Sequence, residues 1–182
     1  DMLHPTDLGH KMIADLICNL LDTEYSYYKK LGAEKKPSLP EPFTASRYED
    51  AQRFQNYSCS PVMEGFEPDT HAAEQWSDPF KGGWIAHKQG SCIKFNVSGS
   101  IIMLQYRKTI NKPAPVAYAV IDGDRQNKVL LDANFDEDWG DLCCLEEIYS
   151  GAKGEHTVEI VIDTEGKENN DFMLISVITA NK

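Results

Sequence analysis

The chain has 182 residues, 41% of them hydrophobic and 10% aromatic, enough apolar material for at least one buried core and too much for a disordered segment. Lys and Arg number 18 against 29 Asp and Glu, a formal net charge of -11. This balance argues against nucleic acid and anionic membrane surfaces as partners, because both select clustered cations that displace counterions, and points to a neutral partner. No run approaches the roughly 18 apolar residues of a membrane-spanning helix, and the opening residues lack the basic, apolar and small-residue succession of a signal peptide. A soluble, cytoplasmic protein is expected. The five cysteines are odd in number, with Cys143 and Cys144 adjacent, and show no CxxC or Cys/His spacing. They read as reduced thiols used as small apolar residues, and no metal or other cofactor is expected.

The first element in chain order is a helix from Thr6 to about Leu31. Ile13, Leu16, Ile17, Leu20 and Leu21 fall at helical spacing, Thr6 is placed to cap, and Asp7 lies where the positive helix end favours an anion. Gly32 marks its stop. Residues 35–43 carry Pro37, Pro40 and Pro42, cannot sustain a regular ladder, and read as an extended linker. The expected organisation is therefore 1–34, a linker over 35–43, and a second domain over 44–182. From Pro42 to Phe80 the periodicity is too weak to assign elements.

Beyond that point the period falls to 2. The alternating sets are Ile93, Phe95, Val97; Ile102, Leu104, Tyr106; Val116, Tyr118, Val120; Val158, Ile160, Ile162; and Phe172, Leu174, Ser176, Ile178. Turn signals at Ser98-Gly99, Asp122-Gly123, Gly151 to Gly154 and Gly166 to Asn170 divide them. Alternation of this kind predicts antiparallel pairing, since parallel strands covered on both faces read as unbroken apolar runs. The fold class is mostly β, with an antiparallel β-sandwich following a single helix.

The opening block Asp1-Met2-Leu3-His4-Pro5-Thr6-Asp7-Leu8-Gly9-His10, followed directly by the amphipathic helix, resembles the last conserved block of SGNH (GDSL-type) serine hydrolases, D-x-x-H-P-[ST]-x-x-G-H. The match is contiguous and covers the first ten of the 182 residues. The resemblance implies that the helix is the terminal one of an α/β hydrolase domain and that His4 is the catalytic base. Asp1 would orient His4, and His10 would be structural. The chemistry agrees: a hydroxyl is a weak nucleophile at neutral pH, and an imidazole can take its proton and later return it to the leaving alcohol. A carboxylate on the other ring nitrogen stabilises the imidazolium as it forms. The family's G-D-S-like serine block and the glycine and asparagine of its oxyanion hole belong upstream of Asp1 and have no counterpart here. Ser91 and Asp122 lack the strand–turn–helix surroundings of a nucleophile. The expectation is a C-terminal portion, inactive alone, that works with a preceding SGNH segment.

An SGNH domain followed by a β-sandwich is similar to the organisation of bacterial carbohydrate esterases that remove acetyl groups from plant polysaccharides. Val116 to Asp122, Phe135 to Gly140 and Gly154 to Ile160 resemble their jelly-roll modules. Sugar binding needs aromatic faces beside polar groups, and Trp76, Trp84 and Trp139, near Asp78, Asp136 and Asp138, supply the types, with Trp139 the leading candidate. The stretch Asp132 to Asp138 has the alternate oxygens of a calcium loop but places Glu137 where glycine is needed and Cys143 where glutamate is, so it reads as a solvated acidic loop. His71, His87 and His156 show no ligand spacing and are given no catalytic role. The reading is a serine esterase acting on acetylated carbohydrate. A carbohydrate-binding or structural sandwich without catalysis is the main alternative, and an SGNH acyltransferase or lipase a third.

Overall fold

Thr6 opens the first element as a true N-cap. Its Oγ1 accepts the Gly9 amide at 3.2 Å and its carbonyl accepts the His10 amide at 2.8 Å. The helix α1 runs Asp7–Lys30, with Asp7 in the first turn and Lys29 and Lys30 in the last, each sign at the helix end that favours it. Gly9 sits close under Pro5: a Cβ there would lie 3.0 Å from Pro5 Cβ, a tight contact. The computed structural model describes residues 4–30, 44, 46, 48–72 and 78–181. Gly32 and the expected linker over 35–43 lie outside the described residues. The chain divides into two compact units, Asp1–Phe43 and Thr44–Lys182. In the first, α1 buries none of its residues, and the apolar stripe predicted from the sequence stays exposed, Leu16 to 69% and Leu20 to 61%.

Among its described residues the second unit holds nine strands: β1 (Glu49–Phe54), β2 (Val62–Glu64), β3 (Phe66–Pro68), β4 (Trp84–Ala86), β5 (Cys92–Lys108), β6 (Val116–Ile121), β7 (Val129–Asp132), β8 (Leu142–Thr164) and β9 (Phe172–Asn181). Every strand pairing is antiparallel, as the alternation predicts. The described residues are thus mostly β, with one helix. Two long strands organise it. β5 and β8 pair from Cys92↔Val161 through Gly99↔Gly154 to Lys108↔Leu142. One half of the pair carries β2, β6 and β7, and the other carries β9 with β1, β3 and β4 beyond it.

At the junction both strands bend, with a register shift between Gly99 and Ile101. The two halves thereby fold onto each other as the layers of a sandwich. Trp84 of one layer meets Phe95 of the other edge-on, 5.0 Å between ring centroids, and Phe172 stacks on Tyr106 at 5.9 Å. Ile93, Phe95 and Val97 point inward while Lys94, Asn96 and Ser98 face water. Truncating a residue such as Phe172, fully buried here, costs about 3–5 kcal/mol in a close-packed core.

Two expectations are corrected. Ser98-Gly99 and Gly151 to Gly154 are not turns between strands but lie within continuous ones. Glycine permits a bulged bend as readily as a tight turn, and a Cβ on Gly99 would crowd Ala180 O and Ile101 O, each at 3.1 Å. The Asp122-Gly123 turn stands, with positive φ at both residues. All five cysteines are free, and Cys59 and Cys144 pack against the core.

Candidate functional site

In the first unit the candidate is the short loop before α1. His4 is exposed immediately ahead of Pro5 and the Thr6 cap. Pro5 packed over Gly9 and the doubly bonded Thr6 fix the backbone that carries it. Asp1, its expected orienting partner, lies outside the described residues. His10 is within the first turn of α1 and exposed.

In the second unit the polar chemistry gathers at one end of the sandwich. Because β5 bends back at Gly99, its two ends emerge side by side, and the connections over residues 87–91, 109–115, 133–141 and 165–171 all leave from there. Trp139 stands on the third of these, 62% exposed, with Phe135 edge-on beneath it at 4.9 Å. The loop under it is built firmly. Asn134 donates to Asp132 and accepts the Ala114 amide, Phe135 N–H bonds Thr109 O at 3.0 Å, and Lys112 pairs with Asp136. An aromatic face so presented can cover the C–H face of a sugar, with nearby carboxylates and amides left for hydroxyls.

At the same end of the sandwich, His87 is bracketed by two acids. Its Nδ1 bonds Asp171, and its Nε2 lies 3.4 Å from Glu67. The Asp171 carboxylate holds the imidazole above its ordinary pKa, partial burial works against this, and Glu67 adds to it. Arg107 bonds Asp171 O at 3.2 Å and approaches Asp141 at 3.8 Å, joining the start of β9 to the end of the tryptophan loop. His87 and residues 165–171 line an open polar cavity of about 490 Å³.

The histidines that look scattered along the chain each acquire a carboxylate in space. His71 meets Asp69 at 2.8 Å, His87 meets Asp171, and His156 meets Asp122 at 2.8 Å. These partners were missed because two of the three pairs join residues 84 and 34 positions apart, where spacing carries no signal. His156, its side chain 9% exposed, is held by its hydrogen bond to Asp122. Trp84 is a correction: it is 1% exposed, with its ring edge-on to Phe95 in the core, and has no face to offer a sugar. Its neighbours Ile85 and Ala86 are buried too, which sets it in a short interior strand rather than a loop. Trp76 lies outside the described residues. In the acidic stretch, Asp132 and Asp136 are engaged by Asn134 and Lys112. No group of three or more His, Cys, Asp or Glu that could hold a metal occurs among the described residues. Ser91 is buried, its backbone tied to Lys88 and Ile162.

No family model matches the chain, and no curated protein does. Solved structures do. The chain is similar over its full length to a two-domain esterase active on acetylated mannans, with 40% identity and a TM-score of 0.84. In a second structure that esterase is co-crystallized with mannopentaose, with 40% identity, 99% of this chain covered and a TM-score of 0.81. This chain spans 49% and 48% of those two, about half their length. A family two carbohydrate esterase from Cellvibrio japonicus shares the fold, at 14% identity and a TM-score of 0.50 over 73% of this chain and 34% of that one. The resemblance to carbohydrate esterases, first drawn from the sequence, is borne out.

Proposed function

We propose that this chain is the Asp- and His-bearing part of an SGNH-type serine esterase that removes acetyl groups from a mannan-like polysaccharide. The observation that supports the reading best is the 40% identity, along the whole chain, to about half of an esterase active on acetylated mannans. In this reading a serine supplied by a preceding segment attacks the acetyl carbonyl carbon. His4 accepts the serine proton as the C–O bond forms and returns it to the sugar oxygen as the ester bond breaks. Water, deprotonated by the same imidazole, then releases acetate and restores the serine. Asp1 holds the His4 ring and stabilises its imidazolium. Donors to the developing oxyanion come from the same preceding segment as the serine, so the 182-residue chain is inactive by itself.

The sandwich contributes polymer contact through Trp139. Its exposure, on a loop braced by Asn134 and the Lys112–Asp136 pair, supports that role. The test is labelling with a fluorophosphonate probe, read by intact mass, on this chain and on the longer protein that carries it. Label on the longer protein, lost when His4 is replaced, supports the reading; label on neither overturns the hydrolase mechanism.

A further inference from the structure

The face of the β2-β5-β8-β6-β7 layer that points away from the core is not uniformly charged, as a solvent face ordinarily is. On β6, Ala117 and Ala119 are in the core, so the partly exposed Tyr118 between them faces outward, with Val120 beyond it on the same face but only 5% exposed. Tyr118 pairs laterally with Val161 on β8 and Leu130 on β7, and Leu130 is half exposed. An aromatic and aliphatic floor thus lies open on the sheet. Around it stand Arg125 and Lys128 from the β6–β7 connection and Asp163 from β8, closing a cavity of about 190 Å³. The size is below the roughly 300–1,000 Å³ of sites for drug-sized ligands and suits one sugar ring.

We infer that this cavity is a second glycan-binding site, distinct from the loop end that carries Trp139, taking one pyranose residue of a polysaccharide on the ring of Tyr118. The wall decides the class of ligand. A small anion would meet Arg125 and Lys128 but also Asp163, and Glu159 lies 3.7 Å from Arg125. A fatty or aromatic ligand would offer no hydrogen-bonding group to Asp163 or Arg125. A pyranose has an apolar C–H face for Tyr118 and hydroxyls that both donate to Asp163 and accept from Arg125. Lys128 Nζ now lies 3.5 Å over the Tyr118 ring, on a flexible exposed side chain that swings aside when the sugar docks. It competes with the ligand for the ring.

The choice of mannan as the polymer rests on the function proposed above; the site does not. The test is a titration of the isotopically labelled 182-residue chain with mannopentaose, followed by amide chemical shifts. Two separate groups of amides should move, one over residues 135–140 and one around Ala117, Tyr118, Lys128 and Val161. Tyr118→Leu, which keeps apolar volume but removes the ring, should weaken the second group's binding about tenfold and leave the first unchanged. Lys128→Ala should tighten the second about two- to fivefold. Shifts confined to residues 135–140, or a second group indifferent to Tyr118→Leu, overturn the inference. Shifts only around Tyr118 uphold this site and remove the role given to Trp139, and shifts in neither group overturn both.

Discussion

A Cβ on Gly83 would lie 1.9 Å from the carbonyl oxygen of Leu174, so the residue leading into β4 approaches β9 too closely for any side chain. The next residue, Trp84, pairs with Leu174 and reaches across the core to Phe95. Gly83→Ala should therefore destabilise the sandwich by about 3 kcal/mol or more, because the obstacle is backbone and not a movable side chain. Gly90, with φ of +84° and nothing within 4 Å, gives the contrast: Gly90→Ala should cost only the left-handed backbone penalty, about 1–2 kcal/mol. Urea denaturation of the two variants, compared with the parent, checks the order.

Much of this architecture is visible in the chain before folding. The period-2 sets at Ile93 to Val97, Val116 to Val120 and Phe172 to Ile178 become β5, β6 and β9, and Thr6 caps α1. What escapes has physical causes. β2, β3 and β4 are three residues each, too short to display a period, and Trp84-Ile85-Ala86 is buried throughout. Gly99 and Gly154 look like turn residues but serve a shared bend in paired strands, which only the partner strand reveals. Of the candidate sites, the His4 block stands out in the sequence because its six fixed residues, Asp1, His4, Pro5, Thr6, Gly9 and His10, fall within ten consecutive positions. The His87 cluster does not, because Glu67 and Asp171 reach it only through strand pairing.

His87 makes stability depend on pH. Its folded pKa is raised, chiefly by Asp171, above the unfolded value of about 6.5. The stabilisation is fully present below that unfolded value and is lost as pH rises through the folded pKa. Since His87 and Glu67 are both half-exposed, the effect is below about 1 kcal/mol. Melting temperatures of the parent should fall slightly from about pH 6 to pH 8 through this contribution. In His87→Gln that part of the fall should vanish, and an unchanged profile would show that the Asp171 contact does not form in solution.

Asp122 works in the opposite sense. Hydrogen bonds from His156 and the Thr157 amide hold its pKa below the ordinary carboxylate value. Its contribution is present above the unfolded pKa, about 3.9, and is lost as pH falls through the folded one. Asp122→Asn should flatten the acid limb of the stability curve, read by thermal melts between about pH 5 and pH 3.

Trp139 is 62% exposed and packs edge-on against Phe135, so Trp139→Ala should change stability by less than about 1.5 kcal/mol. If it grips a sugar chain, the same change should weaken mannopentaose binding at that loop about tenfold. Because Trp84 is buried, a fluorescence response to sugar that disappears with Trp139→Ala assigns the contact. Equal affinity in the two proteins would make Trp139 a bystander.

The catalytic role of His4 is tested most directly by steady-state hydrolysis of acetylated mannan in the longer protein that contains this chain. His4→Ala should lower kcat about 10³-fold or more with KM little changed, since the imidazole acts on the reacting proton and not on the polymer. The 182-residue chain should release no acetate. Wild-type turnover by His4→Ala, or acetate release by this chain alone at the rate of the longer protein, would contradict the assignment of His4 as the base working with a serine from outside this segment.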